Sequence, residues 1–149
     1  MSLAKWLENG WLRQQATSPA EIKGLLSIVD RGLKDAQVVA ISADLRFTAA
    51  FASALQSCTA ALRAAGYRPL GQGGHHMRVI ESLEHTIGAP GNTIRSLLAL
   101  SKKRNVSNYD VAGAVSEQEL DQVIKLATEL RVQVNEWIEK NHPALLKSL

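Results

Sequence analysis

Helical periodicity is the feature that most constrains how this chain can fold. Over the C-terminal part, apolar residues recur at spacings of three and four, which places them on one face of a helix. The stripe comprises Leu120, Val123, Ile124, Ala127, Leu130, Val134, Trp137 and Ile138. Sustained alternation with a period of two, the mark of a half-buried strand, is hard to find in the chain. The sequence therefore predicts an all-α protein without strands.

Helix start and stop signals divide the chain into segments. Ser18, Ser42 and Ser116 each stand where a side-chain hydroxyl can cap a first turn, and Glu119 completes a capping box with Ser116. Gly66 offers the left-handed conformation that ends a helix. The predicted helices lie at about 3–15, 18–38, 42–65, 75–87, 92–105 and from 116 onward. Five or six helices with short connections and no internal repeat predict one antiparallel up-and-down bundle domain over residues 1–149.

The helix that begins at Ser42 is rich in alanine. Its spacing predicts a buried seam of Leu45, Ala49, Ala52, Leu55 and Leu62. Small side chains let helices approach closely. We therefore expect helix pairing here, and a homodimer is the commonest assembly for a small chain.

Composition narrows the class of protein. The chain has 149 residues and a net charge of +3, which permits contact with a polyanion but does not require it. Its one cysteine, Cys58, cannot form an internal disulfide, which fits a reducing compartment. There is neither a signal-peptide pattern nor an apolar run of roughly 20 residues that could span a membrane. We expect a cytoplasmic protein with no membrane association.

Motifs for common cofactors are absent from the sequence. It contains no phosphate-binding loop, no dinucleotide fingerprint and no paired-histidine metal helix. The adjacent His75 and His76 would point about 100° apart on a helix, so they cannot easily share one metal ion. We expect neither a metal nor a cofactor, and we treat both histidines as secondary candidates that alternatively serve as helix caps or core hydrogen-bond partners.

A dense polar segment is the strongest candidate for a functional site. It contains Lys102, Lys103, Arg104, Asn105, Asn108, Tyr109 and Asp110. An arginine fork matches phosphate, amides donate to phosphate or sugar oxygens, and a phenol can donate or stack on a base. These residues predict a nucleic-acid-binding surface in which Lys102, Lys103, Arg104 and Asn108 contact the strand. Alternatively, the segment is a charged helix end in which Arg104 pairs with Asp110 and Tyr109 fills the core.

The string from Arg104 to Asp110, followed by the capped helix from Ser116, resembles the signature region of the HEPN superfamily of helical bundles. The stretch from Ala61 to Arg68 and the run from Gly74 to His76 also resemble bacterial members of that group. Together these segments cover a little over the last half of the chain.

The resemblance implies a homodimeric bundle of a prokaryotic toxin-antitoxin or defence system, often beside a nucleotidyltransferase or antitoxin protein. Many members are metal-independent endoribonucleases. Their signature is an arginine, a polar residue and a histidine four to six residues after the arginine. Arg104 and Asn105 match the first two positions, and Tyr109 stands where the histidine would be. The resemblance thus assigns the catalytic positions to Arg104, Asn105 and Tyr109.

Because Tyr109 stands at the position of the histidine, two hypotheses remain open. Tyrosine titrates near 10 and is a poor proton acceptor at neutral pH, so the protein is either a weak endoribonuclease or a degenerate relative that binds RNA or a nucleotide in a dimer cleft. The alternative is a non-catalytic module for protein interaction or dimerisation. His75 or His76 could supply the missing imidazole only if the fold brings one of them to Arg104.

Overall fold

The computed structural model describes residues 2–70, 75–105 and 112–147. Its α-helices are α1 (Leu3–Glu8), α2 (Pro19–Ala36), α3 (Ala43–Ala64), α4 (His75–Glu81), α5 (Gly91–Asn105) and α6 (Glu117–Asn141). Two short strands, β1 (Leu12–Gln14) and β2 (Tyr67–Pro69), and two 3₁₀ turns, Ser82–His85 and Pro143–Leu146, complete it. The predicted all-α helical bundle is confirmed.

The three serine caps form as predicted. The Oγ of Ser18 accepts from the backbone N–H of Glu21, and that of Ser42 accepts from Leu45, both at 3.1 Å. Ser116 makes the same bond to Glu119 at 3.1 Å, and the Glu119 carboxylate accepts from the Ser116 N–H at 3.0 Å. Local chemistry therefore fixes where the three longest helices begin.

Helix α3 lies at the centre of the bundle, packed between α2 and α6. Its buried side chains come from nearly its whole circumference, and they include Phe47, Ala50, Phe51, Ala54, Leu55, Cys58, Ala61 and Leu62. The predicted seam was therefore wrong in its first half, because Leu45 and Ala52 are exposed. A helix covered on several sides has no single apolar stripe, so periodicity alone does not find its buried positions.

Helices α2 and α3 approach closely at Gly32. A Cβ at that position would collide with the Ser53 side chain, so only glycine allows this crossing. Ser53 is buried there, and its hydroxyl donates to the Val29 carbonyl at 2.8 Å. The small residues of α3 thus serve packing within the chain.

The N-terminal segment differs from the expected helix. Helix α1 ends at Glu8, Gly10 turns the chain with a φ of 76°, and β1 then pairs antiparallel with β2. Leu12 faces Pro69 in this register and is almost fully buried. Strands of three residues are too short to show a period of two, which is why the sequence did not reveal them.

Candidate nucleic-acid interface

Arg104 lies in the last turn of α5 and reaches across to α3. Its Cζ is 5.3 Å from the centre of the Phe51 ring, a cation–π contact with a fully buried aromatic residue. Its Nη2 also donates to the Asn105 Oδ1 at 3.2 Å. The guanidinium is half-buried, so the packing of α5 on α3 restricts its position at the surface.

Helix α4 brings His76 to the same surface. The pKa of His76 lies below its ordinary value of 6.5, first because the ring is partly removed from water and second because the positive charge of Arg104 is nearby. His75 has a smaller effect in the same direction. Helices α4 and α5 pack against each other, so the charge of the Arg104 guanidinium acts on the His76 imidazole although 28 positions separate them in the sequence.

The other residues of the predicted segment divide into two groups. Lys102 and Asn105 are exposed at the end of α5. Lys103 instead turns toward α6, where its Nζ lies 3.2 Å from the Glu119 carboxylate of the capping box. Lys103 therefore links α5 to the start of α6 through an ion pair, so it has a structural role in addition to contributing positive charge.

The remaining candidates, Asn108 and Tyr109, lie outside the described residues, as does Asp110. The pairing of Arg104 with Asp110 stays a prediction for the same reason. The described residues resume at Ala112. The Gly113 N–H donates a hydrogen bond of 2.7 Å to the carboxylate of Asp44, which lies at the start of α3.

A groove of about 240 Å³, here called the α3 groove, runs beside this surface. Its lining residues are Leu55, Gln56, Thr59, Leu62, Arg63, Pro69, His75, His76 and Val79. Phe51, under Arg104, lies one helical turn before Leu55 on α3, so the groove continues the surface that carries Arg104 and His76. Among the described residues, those that line this groove include no carboxylate.

A second basic cluster stands at the far end of the α3 groove. The Glu21 carboxylate lies 2.6 Å from the Arg68 Nη2 and 3.7 Å from the Arg63 Nη1, and it accepts from the Thr17 hydroxyl at 2.7 Å. The Thr17 hydrogen bond, followed by the two arginines, holds the pKa of Glu21 below 4.5 despite its partial burial. One carboxylate thus faces two guanidinium groups, and the cluster keeps a net positive charge.

Sequence reasoning did not identify Phe51, Gln56 or Arg63 as part of a site. In the sequence, Phe51 has the character of a core residue. Arg63 is expected to interact favourably with the dipole at the C-terminal end of its helix. The spacing of Leu55, Thr59 and Leu62 would have placed them on one face of α3, but only the position of α4 shows that the face borders a groove. This juxtaposition depends on contacts between distant parts of the chain.

Two kinds of feature are absent from the described residues, 2–70, 75–105 and 112–147. No helix among them is both long enough and apolar enough to cross a membrane. Within the same ranges, no three histidine, cysteine or acidic side chains come together as metal ligands would.

No protein-family model, curated protein or solved structure matches this chain. Its function must therefore be inferred from the chemistry of its own residues.

Proposed function

We propose that this protein binds RNA at the surface formed by Arg104 and His76 and cleaves it weakly without a metal ion. The observation that carries the proposal is the packing of α4 on α5, which brings His76 within the electrostatic influence of Arg104, held over Phe51. In metal-free RNA cleavage, an arginine can stabilise charge on the phosphate and a neutral imidazole can accept the proton of the attacking hydroxyl. In this proposal His76 supplies the imidazole that the Arg104–Asp110 string lacks.

The reaction would proceed by attack of the ribose 2′-hydroxyl on the adjacent phosphorus. Neutral His76 takes the 2′-hydroxyl proton as the new O–P bond forms, and Arg104 stabilises the charge that develops on the phosphoryl oxygens. The bond from phosphorus to the 5′-oxygen breaks, and that oxygen receives a proton from water. The products are a 2′,3′-cyclic phosphate and a 5′-hydroxyl end.

The first prediction is that Arg104→Ala abolishes or strongly weakens binding of a short single-stranded RNA, because a phosphate contact to a guanidinium is a strong hydrogen bond. Fluorescence anisotropy measures the affinity. Arg95→Ala is the matched control, since it removes the same charge from the same helix nine residues away, on the opposite face. Equal losses for both variants would mean that only the overall charge matters, and the proposed site would be wrong.

The second prediction concerns cleavage with a metal chelator present. The rate should rise with pH below 6.5 and then level off, because His76 acts in its neutral form and its pKa is lowered. His76→Gln should remove this pH dependence together with the activity, whereas His142→Gln should keep both. RNA ends other than a cyclic phosphate and a 5′-hydroxyl would rule out the mechanism.

The resemblance to HEPN proteins extends the proposal to the biological setting. It favours a homodimer within a prokaryotic toxin-antitoxin or defence system, with a nucleotidyltransferase or antitoxin protein as partner. Light scattering over a series of micromolar concentrations tests the dimer. A constant monomer mass would leave the Arg104–His76 surface as a site within one chain.

One observation favours the second candidate function, a non-catalytic module for protein interaction or dimerisation. Val38, Val39, Ile41 and Leu45 expose apolar side chains where α2 turns into α3, and Val39 is 82% exposed. Contiguous exposed apolar residues are typical of interfaces. Val39→Asp would weaken such an association without affecting RNA binding, and that outcome would assign the two functions to separate surfaces.

A further inference from the structure

The α3 groove has the size and lining of a site for one flat ring system. Its volume of about 240 Å³ lies below the roughly 300–1,000 Å³ of pockets for drug-sized ligands. Leu55, Leu62 and Val79 are buried and contribute apolar surface to it. A paired base cannot enter such a groove because it stays stacked inside its helix, but an unstacked base can.

Two polar side chains among the groove residues can distinguish one base from another. Gln56 carries both a donor and an acceptor on its amide and is only partly exposed. The Thr59 hydroxyl donates to the Leu55 carbonyl at 3.0 Å, which leaves its oxygen able to accept a hydrogen bond. Together they present donor and acceptor groups of the kind that read the edge of a base.

Positive charge lies in the groove and beyond it. Arg63 lines the groove. Arg104 lies outside the lining, over Phe51, which precedes Arg63 by twelve residues on α3, a rise of about 18 Å. His75 and His76 line the side between them. An occupant that carries an apolar ring and several negative charges along its length fits this arrangement, and a short RNA strand has that chemistry.

We propose that the α3 groove holds one unstacked base of the RNA whose phosphate lies at Arg104 and His76, with Gln56 and Thr59 determining which base is preferred. This inference rests on the proposed function and adds a specificity subsite to it. A phosphate further along the same strand then lies toward Arg63, where the shared carboxylate of Glu21 leaves positive charge uncompensated.

The test is a titration of the full chain, followed by NMR, with the four ribonucleoside 3′-monophosphates, ribose 5-phosphate and inorganic phosphate. The preferred nucleotide should bind at least about fivefold more tightly than ribose 5-phosphate, because the base adds contact area. Equal binding of ribose 5-phosphate would overturn the base site. A glutamate-rich peptide that displaces the nucleotide and binds as tightly would overturn it too, by indicating a protein ligand.

Variants separate this inference from the proposed function. Gln56→Leu and Thr59→Val should each change the order of preference among the four nucleotides, whereas Gln133→Leu on the exposed face of α6 should not. If Arg104→Ala weakens RNA binding but neither groove variant alters the order, the RNA site stands and the base site is wrong. If the groove variants alter nucleotide binding but Arg104→Ala leaves RNA binding unchanged, the base site stands and the proposed function is wrong.

Discussion

The scaffold of α2, α3 and α6 differs sharply from the pair α4 and α5 in how it is held together. Helix α6 buries a side chain on every turn against α3, whereas α5 fully buries only Leu97 and Leu100. The scaffold helices begin at hydroxyl caps, whereas α5 follows Pro90, whose side chain has no hydrogen-bonding group. The candidate site lies where the less deeply packed pair meets the scaffold.

This difference indicates that the residues that stabilise the fold are largely separate from those of the candidate site. Deep apolar burial fixes the scaffold, and its charged residues, such as Lys125 and Glu129 on α6, lie on the outer faces of its helices. The end of α5 carries charge at low cost because few of its neighbours must be desolvated. Phe51 is the point where the two regions join, since it is buried in the core and also supports Arg104.

The largest expected effect tests the scaffold. Leu130→Ala removes a side chain that is 1% exposed on α6, and the lost burial and the resulting cavity should lower the free energy of unfolding by roughly 2–5 kcal/mol. Val132→Ala on the same helix is the control, because Val132 is 52% exposed and should cost less than about 0.5 kcal/mol. Urea melts measure both values, and similar losses would contradict the assigned burial.

The sequence predicted the scaffold better than the site, for a physical reason. Caps and stripes are local, so Ser116 and the buried face of α6 could be identified from spacing alone. The β1–β2 ribbon and the true buried face of α3 depend on which segments pack together, and the prediction failed there. The segment that contains Arg104 was identified from its chemistry, but the position of Arg104 relative to His76 arises from the packing of α4 and α5, which no local pattern encodes.

An intermediate effect is expected at Phe51. Phe51→Leu keeps most of the buried volume but removes the ring beneath Arg104, so RNA affinity should fall about two- to fivefold, as expected for one cation–π contact at a partly exposed site. The stability loss should stay below about 1.5 kcal/mol because the replacement is similar in size. Phe47→Leu, also fully buried on α3, is the matched control. An equal loss of RNA affinity in both variants would indicate general loosening of α3 rather than support of Arg104.

The smallest effect concerns the stability of the folded protein as the pH falls. The pKa of His76 is lowered on folding, so below 6.5 the unfolded chain takes up a proton more readily than the folded one. The wild-type protein should therefore lose stability as the pH drops from 6.5 toward the folded pKa of His76, and this loss then levels off. Glu21 and Glu119 act in a separate range, because their pKa values are lowered from 4.5 and their stabilising effects are lost only as the pH falls further.

Urea melts at about pH 7 and about pH 5 isolate the contribution of His76. His76→Gln should show a smaller drop between the two pH values than the wild type does. Arg104→Ala should show an intermediate drop, because it removes the repulsion by the guanidinium but leaves the effect of burial, which is the larger cause of the lowered pKa. If Arg104→Ala behaves as the wild type does, the two side chains do not interact in solution. The shared site between α4 and α5, on which the proposed chemistry depends, would then be wrong even if the scaffold folds as described.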